Sequence, residues 1–136
     1  ESGGAVAQHR EDRDRPFVED VVEQFPSGSR HIHIAGQVGW DADGTVVAPD
    51  LAGQVAQAYR NVDTALRSAG ASFADVVRLT VYVAGWRSED YPAFAAGVDA
   101  VSAELGFTAP PASLIGVAML FSPELLVEVE AAAVLD

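Results

Sequence analysis

Between Asp50 and Gly70 the apolar side chains Leu51, Val55, Tyr59, Val62 and Leu66 recur at three- and four-residue steps. That period gathers them on one face of an α-helix. Asp50 stands where a side-chain oxygen can accept from the first free N–H groups, and Gly70 where the helix can close. Over residues 75–85 the period drops to two: Val77, Leu79, Val81 and Val83 alternate with Arg78, Thr80 and Tyr82, which predicts a strand with one apolar and one mixed face. A second helical stripe follows in Tyr91, Phe94, Val98, Val101 and Leu105. Ser88-Glu89-Asp90 offer its caps, Pro92 fits only in its first turn, and Gly106 supplies its stop.

The flanking segments read as strands. FVEDVV (17–22) and RHIHIAGQV (30–38) are separated by Phe25-Pro26-Ser27-Gly28-Ser29, which has turn chemistry, and Asp41–Gly44 forms a further break. After Ala109-Pro110-Pro111 come ASLIGVAML (112–120) and LLVEVEAAAVL (125–135), split by Phe121-Ser122-Pro123-Glu124. Residues 1–15 carry neither period and are set aside as a flexible tail, leaving 16–136 as a single domain. The order β-β-α-β-α-β-β predicts an α+β fold, a mixed sheet with both helices on one side. In the last strand Leu125, Val127, Val129, Ala131 and Ala133 then face the helices. Leu126, Glu128, Glu130, Ala132 and Val134 fall on the open face with Arg78, Thr80 and Tyr82. A face mixing apolar residues with aligned charges suits contact with another subunit, so a homo-oligomer is expected.

Composition narrows the chemistry. The chain has 136 residues, 49% of them hydrophobic, enough for one buried core. Eight Arg and Lys against twenty Asp and Glu give a net charge of -12, a field that repels phosphate backbones and anionic bilayers. Neither nucleic acid nor membrane is therefore an expected partner. No stretch reaches the roughly 20 apolar residues of a membrane span, and the first fifteen residues lack a signal-peptide core, so a soluble, cytoplasmic protein is expected. There is no Cys, which removes thiolate zinc sites, iron–sulfur clusters and cysteine nucleophiles. All eight basic residues are Arg, so there is no lysine for a Schiff base or a P-loop, and G-x-G-x-x-G is absent. No cofactor is expected.

Three constellations could carry chemistry. The two-residue spacing of Glu128 and Glu130 sets both carboxylates on one strand face, their Cα atoms about 6–7 Å apart. Repulsion and partial burial would raise at least one pKa toward a useful acid–base range, with Arg78 as a candidate counter-ion; the alternative is an intersubunit ion-pair network. His31 and His33 also share a face, but no third ligand stands at a diagnostic spacing, so no metal is expected and polar interface or edge histidines are the simpler account. His9 lies in the tail. Ser113 is a small nucleophile beside a Pro-rich turn, without a G-x-S-x-G elbow or a triad. Trp40 and Trp86 read as packing residues or pocket walls.

The element order, together with IAGQVGWDADGTVV (34–47), residues 54–83, APPASLIGVAML (109–120) and LLVEVEAAAV (125–134), resembles the Rid family, the YjgF-like reactive-intermediate deaminases also known as perchloric-acid-soluble translation inhibitors. The resemblance implies a chorismate-mutase-like subunit in a homotrimer whose sheets line a central barrel, with three intersubunit clefts. It also implies cofactor-free hydrolysis of reactive enamines and imines to a keto acid and ammonia. In the best-known branch a Pro-Ala-Arg-Ser segment sets an Arg against the substrate carboxylate, and a Glu of the final strand positions water. That Glu falls on Glu128, but the Arg falls on Ala112 of Pro110-Pro111-Ala112-Ser113. The Ser preceding the family's Gly-Gln falls on Ala35 before Gly36-Gln37, and a pocket Asn falls near Ala95. The loss of an Arg–carboxylate fork removes both affinity and orientation for 2-imino acids.

What the resemblance then implies is a cleft with more apolar walls, Leu114 and Val117 beside Ser113, and with Thr80, Tyr82 and His33 near Glu128. Such a cleft suits a larger or uncharged small-molecule ligand. The expected activity is hydrolysis of a neutral imine or enamine, or a related proton transfer, with Glu128 as acid/base or water positioner. Ser113 and the N–H groups of 112–114 would hold the developing oxyanion. The alternative is a non-catalytic metabolite-binding or regulatory trimer. Ribonuclease or translation-inhibitor activity, also attached to the family, fits poorly with the acidic charge.

Overall fold

The computed structural model describes the backbone of residues 5–8 and 20–24 and the whole of residues 29–136. In chain order the elements are β1 (Ala5–Gln8), β2 (Asp20–Gln24), β3 (Arg30–Val38), α1 (Leu51–Ser68), β4 (Val76–Ala84), α2 (Tyr91–Leu105), β5 (Ala112–Val117) and β6 (Val127–Leu135). The strands form one sheet in the order β1-β2-β3-β6-β4-β5. Among the described residues only β4 and β5, joined through α2, run parallel; the other strand pairings are antiparallel. This is the mixed α+β fold that the periodicities predict.

Each helix forms where its local chemistry directs. The Asp50 carboxylate accepts from the Gly53 N–H at 2.9 Å and starts α1. The guanidinium of Arg30 donates to the Ala69 carbonyl at 2.9 Å and so ties the far end of α1 to β3. Gly106, at φ 68°, ends α2 in the left-handed conformation. The two helices pack closely because Gly97 has no side chain: a Cβ there would lie 2.6 Å from the Ala52 carbonyl oxygen. Val55, Tyr59, Val62 and Leu66 of α1 bury themselves against Ile32, Ile34, Leu79, Val81, Val127 and Val129 of the sheet. Each such side chain contributes about 1.5–3 kcal/mol relative to exposure. A stacked trio of Tyr59, Phe73 and Phe107 closes one end of this layer, the rings of Phe73 and Phe107 4.3 Å apart.

The structure departs from the sequence expectations in several places. Ala5–Gln8, inside the segment set aside as a tail, forms a strand paired with β2. Backbone pairing supplies there what side-chain pattern does not. The opening strand expected at 17–22 is described from Asp20 and continues to Gln24; residues 17–19, the turn at 25–28 and His9 lie outside the described residues. Val77 is not part of the buried stripe. The β4–β6 register shifts between Val76 and Arg78, so Val76 is buried while Val77 is 51% exposed. Asp90 does not cap α2, because its carboxylate accepts from the Arg87 N–H at 2.9 Å in a preceding 3₁₀ turn. Finally, β5 stops at Val117, three residues short of Leu120, and β6 starts at Val127, although Leu125 is buried as expected.

Candidate active site

Strand β6 lies between β3 and β4, so the open face of the sheet is a grid whose rows can be read from the register. Tyr82 stands opposite Glu128, Thr80 opposite Glu130, and Arg78 and His33 on either side of Ala132. On the outer side of β4, Ser113 pairs with Thr80 and Ile115 with Tyr82. The opposite faces of the same strands carry Leu79, Val81, Val127 and Val129 into the core. A groove of about 480 Å³ runs over this grid, walled by His33, Ala35, Arg78, Thr80 and Glu130 with Ala132 in its floor.

Glu128 is half-buried. Burial, and secondarily the negative charge of Glu130, push its carboxyl pKa above the ordinary glutamate value. Its side chain packs against Gly36. The β3–β6 register shifts between Ile34 and Gln37, and the bulge brings the Gly36 backbone onto the Glu128 side chain. A Cβ at position 36 would sit 2.6 Å from the Glu128 Cδ and closer still to Oε2. Glu130 is held differently: Tyr82 Oη donates to its Oε1 at 2.8 Å, and that bond chiefly raises the Tyr82 pKa.

Gln54, absent from the sequence-level candidates, fixes where β6 enters the sheet. It is fully buried, its amide donates to the carbonyls of Ala48 (3.0 Å) and Glu124 (2.9 Å), and its Oε1 accepts from the Leu126 N–H at 2.8 Å. Position 54 lies three residues after Leu51 and one before Val55, on the apolar stripe of α1. A polar residue on that stripe is the signal that marks it.

The candidate residues are only partly gathered within one chain. His33, Ala35 and Thr80 share the groove; Gly36 touches Glu128; Tyr82 neighbours Glu128 in the sheet and binds Glu130. Gln37 is buried and its amide turns back to the Ala35 carbonyl at 2.9 Å. Arg78 does not serve as counter-ion to the carboxylates: its guanidinium donates to Ser113 Oγ at 2.7 Å. Ala112 and Leu114 pair with Leu79 and Val81, which sets them on the helix side of the edge strand β5, the face opposite Glu128. Near them Pro110 and Pro111 wall a second hollow, of about 520 Å³, with Phe73 and Phe107. Ala95 lies on α2, also across the sheet from Glu128. His31 and His33 remain a pair, and among the described residues no three His, Asp or Glu side chains converge as a metal site. No helix there is long and apolar enough to cross a membrane.

Two helices packed on one side of an open mixed sheet make this a small α+β domain. Residues 14–135 match the model of the Endoribonuclease L-PSP family, and the chain belongs to that family, the Rid or YjgF-like group. Among solved structures it is similar to YyfB of Yersinia pestis, a Rid-family protein of unknown function, at 41% identity and TM-score 0.70 with 84% of each chain covered. It is also similar to the YjgF gene product of E. coli, at 32% identity and TM-score 0.67 over 76% of this chain and 80% of that one. A stretch of 56 residues is 39% identical to the 2-iminobutanoate/2-iminopropanoate deaminase of Homo sapiens, spanning 40% of this chain and 41% of that protein.

Proposed function

We propose that this Rid-family protein is a cofactor-independent small-molecule enzyme of the cytoplasm that hydrolyses a neutral or larger imine or enamine, or moves a proton in a related carbonyl compound. The observation that carries the reading is Glu128, a half-buried carboxylate with a raised pKa held against Gly36. A general acid–base works best with its pKa near the operating pH, and burial moves Glu128 in that direction. In the hydrolytic direction Glu128 accepts a proton from water as the oxygen bonds to the imine carbon, and passes that proton to the nitrogen to give a neutral carbinolamine. Glu128 then takes the carbinolamine hydroxyl proton and delivers it to the nitrogen as the C–N bond breaks, which releases ammonia, leaves the carbonyl and returns Glu128 to its ionised form. Ser113 and the N–H groups of 112–114 are assigned to the developing negative oxygen.

The division of the candidates between two faces supports an oligomeric cleft. Glu128 and Gly36 lie on the open face of the sheet, whereas Ala112 and Leu114 lie on the far side of the edge strand. A second copy docking its β5 edge beside the first copy's Glu128 would join the two sets, as in the homotrimer that we propose. The human deaminase similarity favours imine chemistry, while Ala112 at the position of the family's Arg favours a substrate without a carboxylate. A non-catalytic metabolite-binding or regulatory trimer is the second reading, favoured by alanine at positions 35, 95 and 112.

The test is ammonia release from 2-iminopropionate generated in situ and from a neutral imine, for wild type and Glu128→Ala. Turnover of the neutral imine that falls by about two orders of magnitude or more in the variant is the expected result. A fully active variant overturns the mechanism, and ligand affinity without turnover of any imine or carbonyl compound would transfer the weight to the binding reading. Light scattering at micromolar concentration checks the assembly; a monomer mass removes the cleft.

A further inference from the structure

On the helix side of the sheet, away from the open face, the hollow of about 520 Å³ lies between the end of α2 and the start of β5. One wall is the pair Phe73 and Phe107, whose rings stack 4.3 Å apart and are backed by the ring of the buried Tyr59. Phe107 is only half-buried, so part of its ring is left for a further partner. Pro110 and Pro111 add rigid apolar wall. Backbone bonds fix both parts: the Phe107 N–H donates to the Ser102 carbonyl at 3.2 Å, and the Pro111 carbonyl accepts from the Leu79 N–H at 2.8 Å. Among the described residues no Asp, Glu, His or Arg lines the hollow.

We infer that this hollow takes an uncharged aromatic ring and, in the imine-hydrolase reading on which this second step rests, that the ring is the apolar end of the substrate. The volume falls in the range of small-molecule pockets, about 300–1,000 Å³. A phenyl group entering it extends the existing stack in the offset or edge-on geometries that aromatic pairs prefer. Walls already fixed by backbone bonds lose little freedom on binding, so more of the contact energy is retained. A charged group would instead leave water for walls without a counter-charge, which is costly. Position supplies the link to the reaction. Pro111 directly precedes Ala112, the position of the family's carboxylate-binding Arg. With alanine there, the hollow beside it selects what the substrate carries at this end, an aryl group in place of a carboxylate.

NMR titration with acetophenone against acetone tests the ring site without any turnover. Acetophenone is expected to bind once per chain and to shift the Phe107 ring resonances, at least about tenfold more tightly than acetone, the gain from burying a phenyl group. Ala109→Trp, at an exposed position on the wall of the hollow, should fill it and weaken acetophenone at least about tenfold in a chain that remains folded. Ala100→Trp, exposed on α2 outside the hollow, should bind as wild type does. Equal binding of the two ketones, no acetophenone binding at millimolar concentration, or indifference to Ala109→Trp overturns the site. Ammonia release from the imines of phenylacetaldehyde and acetaldehyde, generated in situ, tests the second step. Wild-type kcat/KM is expected to favour the phenyl-bearing imine at least about tenfold, and Ala109→Trp to lose that preference. Turnover of both imines without the preference overturns the assignment of the hollow to the substrate and leaves the hydrolase reading standing. Ring binding with turnover of neither imine overturns the hydrolase reading and the second step with it, while the ring site stands.

Discussion

Strand β6 presents two faces built from one alternating sequence. On the helix side Val127, Val129, Ala131 and Ala133 are buried against α1 and the neighbouring strands; on the other, Glu128, Glu130, Ala132 and Val134 remain half-exposed. The first face is made of groups without alternatives: apolar, close-packed and indifferent to pH. The second is made of groups with a choice of partner or proton. Because the two faces share one backbone, the packed one holds the chemical one in place, and a change on one side should be felt on the other only through register.

The sharpest way to break that division is to damage the packed face. Leu79→Ala removes a fully buried side chain and should cost about 2–5 kcal/mol in urea denaturation, whereas Thr80→Ala, the next residue on the open face, should cost under about 1 kcal/mol. Comparable losses would mean that the open face is itself a core. Next comes the polar stitch between the faces. Gln54→Leu leaves the Leu126 N–H and two carbonyls without their side-chain partner, and should destabilise by about 2–3 kcal/mol by the same measurement.

A smaller effect, with a diagnostic sign, belongs to Glu128. Its folded pKa is raised, so the folded chain holds that proton more tightly than the unfolded chain does. The stabilisation is complete below the unfolded pKa and is lost as pH rises through the folded one, leaving an ionised Glu128 a net cost at neutral pH. Glu128→Gln should therefore melt at or above the wild-type temperature at pH 7, with the advantage shrinking as pH falls toward the ordinary glutamate range. An advantage that grows in acid would contradict the burial argument. The smallest stability change is expected from Gly36→Ala: the new methyl meets the Glu128 side chain from its carboxylate back to Cγ, and that flexible side chain must turn away, so the melting temperature should change little while Glu128-dependent turnover falls. Unchanged turnover would mean that the glycine bulge does not position the carboxylate.

Long regular patterns were legible and short or interrupted ones were not. Helix α1, strand β4 and helix α2 each repeat their period several times, and their observed ends lie within a residue or two of the expected ones. Val77 misled because a bulge adds a residue without changing composition, and the two-residue count passes through it unaware. Strand β1 escaped because Ala-Val-Ala-Gln carries no period; its pairing with β2 defines it. In the candidate site, the shared face of Glu128 and Glu130 followed from spacing alone. The contact of Gly36 with Glu128 did not, because it depends on a bulge in one strand meeting a side chain of another.

By itself, then, the order of residues determined which segments are helix and strand, which face of each strand is apolar, and that two carboxylates stand together. These are local consequences of two periods and a few caps. Tertiary structure decided that Ala112 and Leu114 lie on the opposite side of the sheet from Glu128, that Arg78 turns to Ser113 and away from the carboxylates, and that Gln54 anchors the start of β6. Those outcomes hang on the register between strands far apart in the chain, where a one-residue shift exchanges the two faces, and register is set only when the whole core packs at once.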